Sequence, residues 1–215
     1  MVTDALKDID LKGIKGILWD LDDTLYAYES AHLMAFQSSA EMAYAQYAIS
    51  NSDFEQHWKQ ARKTVHNDLH GQAASHSRLL YFQRMHEQMF GHTNAQFALE
   101  MEAFYWNTFM DNMAWKPGVQ SFLEQAKKQG IRMCVVTDLT AQIQLQKWQK
   151  LDLSRYMEFL ISSEEAGIEK PAAKMFELAL KKLNLTAVDV IMIGDSLEKD
   201  IKGAEAFGIK TIWIQ

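Results

Sequence analysis

A single cysteine, Cys134, stands among the 215 residues of this chain. One thiol cannot close an internal disulfide, and its setting in "IRMCVV" suits a small buried residue better than a nucleophile. A reduced compartment, the cytoplasm, is the expected location. Long apolar runs are also missing. No stretch reaches the roughly 18 uninterrupted apolar residues of a membrane span, and "MVTDALKDIDLKGIK" lacks the basic start and apolar middle of an export signal. No membrane association is expected. Positive charge is in short supply, with 22 Lys and Arg against 28 Asp and Glu and a net charge of -6. That balance offers no footprint for a nucleic acid polymer. Proline occurs twice, at Pro117 and Pro171. The composition is far from that of a disordered chain: 48% hydrophobic and 23% charged residues can bury one core, or a core with an inserted module.

Four short apolar runs stand out, "GILWDL", "MCVVTD", "VIMIGD" and "TIWI", with a weaker one at "EFLIS". Amphipathic stretches of helical length lie between the later runs. The alternation predicts a parallel sheet covered by helices, and unbroken hydrophobicity predicts strands buried on both faces. "KPGVQSFLEQAKKQG" has Pro117 near its first turn and Gly130 where a left-handed cap belongs, and "EKPAAKMFELALKKLNL" repeats the device at Pro171. "SLEKDIKGAEAFGI" leads through a last helix into the final strand.

Between about Ala27 and Asn112 the rhythm changes. This segment has no strand pattern, no proline and all seven histidines, six of them from His57 to His92. It reads as a helical module. Leu33, Phe36, Ala40, Tyr44 and Tyr47 share one helical face, and Phe54, Trp58, Ala61 and Val65 share the next, preceded by Ser52 and Glu55 at capping-box spacing. Further helices are predicted around 77–89 and 94–109.

In a parallel α/β sheet, ligands bind beyond the carboxyl ends of the strands, so the residues after each apolar run carry the functional information. Those positions hold Asp20, Asp22 and Asp23, then Thr137 and Asp138, then Gly194, Asp195 and Ser196. Carboxylates gathered on one edge repel one another unless a cation, a lysine or a shared proton offsets the charge. Magnesium suits such a site: it prefers oxygen ligands and is commonly held by one or two carboxylates together with substrate phosphate. Taken singly, an Asp-x-Asp pair serves a turn as readily as a catalytic site, and a Lys-Pro before a helix serves simply as a helix start.

Taken in order, "DLDDT" at 20–24, Thr137 closing "VVT", Lys170 in "EKP" and "GDSLEKD" at 194–200 resemble the four motifs of the haloacid dehalogenase-like hydrolase superfamily. The insertion after the first motif resembles the helical cap of its haloacid dehalogenase and phosphoglucomutase-like branch. The later stretch is similar to 5′-nucleotidase and sugar-phosphate phosphatase members. The resemblance implies an α/β fold, a Rossmann-like parallel sheet flanked by helices, with a core at 1–26 and 113–215 and an inserted α-helical cap domain at 27–112. It implies a magnesium-dependent phosphatase of a small phosphorylated metabolite, a nucleoside monophosphate or a sugar phosphate, working through a phosphoaspartate. Asp20 would be the nucleophile, Asp22 the acid and base, and Thr137 a hydrogen-bonding partner of the phosphoryl group. Lys170 would neutralise and orient Asp20. Magnesium would sit on Asp20, the main-chain carbonyl of Asp22 and Asp195, with Asp200 in a supporting or water-mediated place.

Departures from the family pattern are Asp23, where many relatives have glycine, and Asp138, Leu139 and Ala172. Asp138 joins Thr137 and Lys170 among the expected substrate contacts. A phosphomutase or a haloacid dehalogenase on the same fold, and a non-catalytic binding protein, are the alternatives; an acid at Asp22 favours phosphate chemistry over dehalogenation. Within the cap, His66 and His70 stand one helical turn apart, as a zinc pair would, without a third ligand placed beside them. Arg78, and less so His76, is a candidate contact for the leaving group or its phosphate, because an arginine fork binds phosphate oxygens in pairs. Hinges are expected near 26–29 and 112–115.

Overall fold

Five apolar runs become five parallel strands. The computed structural model describes Leu6 and residues 9–214. Gly16–Trp19, Arg132–Thr137, Phe159–Ser162, Val190–Gly194 and Lys210–Trp213 form β1 to β5, and the sheet order is β3-β2-β1-β4-β5. Leu18 lies beside Cys134 on one side and Met192 on the other, so the first, second and fourth strands end level with one another. This register brings the acidic strand ends together. Both edges are less buried than the runs suggest: β5, the expected buried strand "TIWI", has Trp213 44% exposed and Lys210 exposed. As an edge strand it has a neighbour on one side only.

The chain divides into two compact units, one holding the chain up to Ala27 and from Ala114 onward, the other Tyr28–Met113. The second unit is helical: α1 is Tyr28–Tyr47, α2 Asn51–Asp68, α3 Arg78–Phe90 and α4 Ala95–Asp111, with a 3₁₀ turn at Ala73–His76. Ser50, Ser77 and Asn94 cap α2, α3 and α4 by accepting from the backbone N–H of Asp53, Leu80 and Phe97. The start of α2 therefore differs from the expected Ser52 and Glu55 box, because Ser50 reaches the third backbone N–H and also donates to Asp53 at 2.7 Å. The expected stripe Phe54, Trp58, Ala61 and Val65 is buried. Trp58 packs edge-on against Tyr81 and close to Phe82 and Tyr105, forming an aromatic core.

The face predicted for α1 is wrong in part. Leu33 and Tyr44 are exposed, and the buried face is Ala31, Ala35, Ser39, Ala40 and Ala43. Small side chains let the α1 backbone approach α4 closely, so close packing decides the face here and side-chain size misleads.

In the first unit, α5 is Val119–Lys128, α6 Ala141–Lys150, α7 Ser163–Ala166, α8 Ala173–Leu183 and α9 Gly203–Ala206. Phe176, Ala179, Leu180 and Leu183 of α8 pack with Leu18, Cys134, Val136 and Met192 of the sheet. A fully buried side chain of this kind contributes about 1.5–3 kcal/mol. Across the sheet, Trp19 meets Phe122 of α5 edge-on at 5.7 Å. Pro117 immediately precedes the α5 N-cap, Gly118, and Gly130 adopts the left-handed conformation past its end, whereas Pro171 lies two residues before α8 and follows a cis peptide from Lys170.

Candidate active site

The first strand delivers Asp20 directly into the buried end of the sheet. Its backbone N–H donates to the Ile193 carbonyl at 2.9 Å, continuing the β1–β4 pairing by one residue, and the residue is 6% exposed. The chain then turns sharply. Asp23 sits at φ 58°, a left-handed conformation that glycine adopts freely and aspartate tolerates, so the residue departs from the family glycine while meeting the same backbone demand. Lys116 donates to its carbonyl.

Lys170 links the charges. Its Nζ lies 2.6 Å from Asp20 Oδ1, 2.6 Å from Asp200 Oδ1 and 3.0 Å from the Val136 carbonyl. Asp138 holds it from behind, accepting from the Lys170 backbone N–H at 2.9 Å and from Lys199 Nζ at 2.7 Å. Both carboxylate oxygens of Asp138 are thereby engaged, which makes its side chain a support for Lys170. Asp200 is fully buried and also accepts from the Ser196 backbone N–H at 3.0 Å. Gly194 is required by this arrangement: a Cβ there would overlap the Asp200 carboxylate.

The negative charge exceeds what Lys170 offsets. Burial, with Asp200, Asp195 and Asp22 nearby, pushes the Asp20 carboxyl well above its usual range despite Lys170. Burial and Asp200 also raise Asp195, whose Oδ1 accepts from Thr24 at 3.3 Å. Oxygens of Asp20, Asp195 and Asp200 lie within 4.8 Å of one another, and Asp20 Oδ2 is buried with no hydrogen-bond partner. An unpartnered carboxylate oxygen beside two further carboxylates is an all-oxygen donor set for a hard divalent cation, so these residues fit magnesium. Among the described residues they form the group of side chains able to hold a metal; His66 and His70 do not, and His66 instead packs its ring against His76 at 4.7 Å.

Asp22 has partners that the spacing of motifs did not reveal. Lys147, fully buried on α6, places Nζ 2.7 Å and 3.0 Å from its two oxygens. Tyr26 donates to Oδ1, and Gln144 Nε2 reaches Oδ2 at 3.3 Å. Burial alone would raise the Asp22 pKa, but Lys147, Tyr26 and Gln144 favour the anion and hold it below the usual carboxylate range. Gln144 also donates to Thr137 Oγ1 at 2.7 Å and to the Asp138 carbonyl at 2.6 Å, so the buried Thr137 hydroxyl is fixed by α6. The only trace of this in "AQIQLQKWQK" is the i, i+3 placement of Gln144 and Lys147 on the face that also carries Ile143.

The first unit therefore gathers Asp20, Asp22, Thr137, Asp138, Lys170, Asp195 and Asp200. Arg78 belongs to the helical unit, where it is buried at the start of α3, donates to the His76 carbonyl at 2.7 Å and to Tyr28, and lies over the rings of Tyr81, Tyr105 and Trp106.

Comparison with known proteins agrees with this geometry. Residues 17–214 match the family model described as haloacid dehalogenase-like hydrolase. The chain is 37% identical over 200 residues to a ribulose-1,5-bisphosphate 5-phosphatase of Halopiger xanaduensis, covering 91% of this chain and 82% of that one. It is 28% identical over 205 residues to a glyceraldehyde 3-phosphate phosphatase of Methanocaldococcus jannaschii, covering 94% and 85%. The crystal structure of a phosphatase from Thermococcus onnurineus shares the fold with a TM-score of 0.72 at 20% identity, covering 94% and 86% of the two chains. The chain belongs to the haloacid dehalogenase-like hydrolase family.

Proposed function

We propose that this phosphoric monoester hydrolase removes phosphate from a small phosphorylated sugar, with Asp20 as nucleophile and magnesium as cofactor. The observation that carries the reading is the state of Asp20: buried, paired through Oδ1 to Lys170, and left with Oδ2 unpartnered beside Asp195 and Asp200. A carboxylate so placed attacks phosphorus, forming the Asp20 O–P bond as the bond to the leaving alkoxide breaks. Asp22 is the group placed to protonate that alkoxide, and to do so it must first take up a proton from solvent against the pull of Lys147, Tyr26 and Gln144. In the second step Asp22 takes a proton from water, the water oxygen bonds to phosphorus and the Asp20 carboxylate is released.

Asp20, the Asp22 carbonyl and Asp195 would hold magnesium, with Asp200 in support. Bound there, the ion supplies neutralisation of the charge on the transferring phosphoryl group. Lys170 pairs with Asp20 Oδ1 and orients it, and α6 orients Asp22 and Thr137 through Lys147 and Gln144. Sugar phosphates are favoured by the substrates named for the two relatives above, and nucleoside monophosphates form the second arm of the test. Among the described residues no helix is long and apolar enough to cross a membrane. A cytoplasmic setting is part of the reading, supported by the buried single thiol of Cys134.

The test is phosphate release from ribulose 1,5-bisphosphate, glyceraldehyde 3-phosphate, phosphoglycolate and nucleoside monophosphates, with magnesium and with chelator, for the native chain and Asp20→Asn. Release that needs both magnesium and Asp20 supports the reading. Undiminished release by Asp20→Asn would remove the nucleophile assignment.

A further inference from the structure

Trp213 ends the edge strand β5, and its side chain is largely open to solvent. An indole so exposed can satisfy its N–H with water, so burial does not force a protein partner on it. It has one nonetheless: Nε1 donates to the Asp195 carbonyl at 2.7 Å. In the sheet Trp213 lies beside Gly194, and the next backbone N–H, that of Ile214, donates to the Gly194 carbonyl at 3.0 Å. The end of β5 therefore holds two successive carbonyls, Gly194 and Asp195. This bears on the acidic cluster, because its three carboxylates are restrained unequally. Lys170 lies 2.6 Å from Asp20 and 2.6 Å from Asp200, whereas the half-buried Asp195 carboxylate accepts from Thr24 at 3.3 Å. The place of Asp195 is thus set mainly through its backbone.

We propose that Trp213 is a positioning residue for the cation site: its indole N–H fixes the Asp195 main chain and so presents the Asp195 carboxylate to magnesium. The inference rests on the magnesium site of the function proposed above, and it assigns a role to an edge-strand residue outside the four motifs. A carboxylate already held at its backbone has less freedom to lose when a cation binds, and such preorganisation raises affinity by lowering the cost of ordering. Groups that hold a metal ligand without touching the ion commonly govern affinity in this way. Trp213 acts through Asp195 alone. The role also accounts for a large aromatic side chain at a solvent-facing end of the sheet, where packing gives it little to do.

The experiment measures magnesium binding to the full chain by titration calorimetry, without substrate, for the native protein, Trp213→Phe, Trp213→Gln and Trp148→Phe. Phenylalanine keeps a ring and removes the donor; glutamine removes the ring and keeps an N–H donor. Trp148 donates its indole N–H to Ser154 at 2.8 Å, so its variant loses an indole hydrogen bond away from Asp195. The result expected is a magnesium Kd about three- to tenfold weaker in Trp213→Phe, the span for one net hydrogen bond. Trp213→Gln should recover part of that loss, and Trp148→Phe should bind as the native chain does. Melting temperatures should agree: the rise on replacing chelator with magnesium should be smaller in Trp213→Phe than in the native chain or Trp148→Phe. Native affinity in Trp213→Phe would overturn the inference. So would equal weakening in Trp213→Phe and Trp213→Gln, which would make the ring and not its N–H the cause. A native chain that binds no magnesium would overturn the cofactor assignment too, so that failure is told apart from a failure confined to Trp213.

Discussion

Lys147 and Asp22 form an ion pair across 125 residues of sequence, with Nζ 2.7 Å and 3.0 Å from the two carboxylate oxygens. The lysine is fully buried while the aspartate side chain is 31% exposed, so one partner faces the interior and the other is open to solvent. Lys147→Met should remove the clamp that aims Asp22. General acid and base catalysis contributes about 10²–10⁴-fold, and losing the orientation of that group should lower kcat by about 10-fold to 10²-fold with a smaller change in KM. Stability should fall by less than the ~3–5 kcal/mol of a fully buried pair, because Asp22 is partly solvated. Steady-state kinetics and urea unfolding check both; an unchanged kcat would show that Asp22 needs no clamp.

Among the described residues Lys170 is the cation paired with both Asp20 and Asp200. Lys170→Met should leave three neighbouring carboxylates uncompensated, cost about 3–5 kcal/mol and abolish turnover. The same loss should make folding more dependent on divalent cation, since an ion that binds only the native state stabilises it by mass action. The melting temperature of Lys170→Met should therefore rise more on adding magnesium than that of the native chain. An equal rise in both would argue that the cation does not share the Asp20, Asp195 and Asp200 cluster.

How far the sequence could be read follows from what each element is made of. Strands β1, β2 and β4 announce themselves because central parallel strands are apolar without interruption, and the acids that follow them have no place in a core. Asp20, Asp22, Asp195 and Lys170 were legible on that ground and through their resemblance to family motifs. Gln144 and Lys147 were not. Glutamines at 142, 146 and 149 surround them, so polarity gives no contrast between the solvent face of α6 and the face turned to Asp22. The α1 face was obscured in part for the opposite reason: Leu33 and Tyr44 point outward and alanines inward, while Phe36 and Tyr47 do pack on the aromatic core, so an apolar stripe weighted by size is only partly right. Only the neighbouring helix determines that choice.

Gly194 offers a test of the backbone. A Cβ there would overlap the Asp200 carboxylate, and Asp200 is anchored by both Lys170 and the Ser196 backbone N–H. Gly194→Ala should push Asp200 away, disturb Lys170 in turn, and cost about 1–3 kcal/mol, as overpacking of a tight interior does. Activity should fall more steeply than stability, because the displaced groups surround Asp20. Thermal unfolding and phosphate release on the same sample compare the two; a folded variant of native activity would mean the Asp200 position is not required.

The helical unit should respond to acid through His32. Its imidazole lies 2.7 Å from the Tyr105 hydroxyl, and burial with Arg78 and Arg62 lowers its pKa from the ordinary 6.5 to about 4. Between those two values the unfolded chain binds a proton that the folded chain refuses. Stability from this group is thus complete above about pH 6.5 and declines as pH falls toward 4, where the folded imidazole itself begins to protonate. His32→Asn keeps a polar side chain near Tyr105 and removes the titration. Its unfolding free energy should lose less than that of the native chain between pH 6.5 and 4. Parallel declines in the two proteins would mean that other groups, such as the carboxylates around Lys170, account for acid sensitivity. A flatter profile for His32→Asn would place a measurable part of it at this half-buried imidazole beside Arg78 and Arg62.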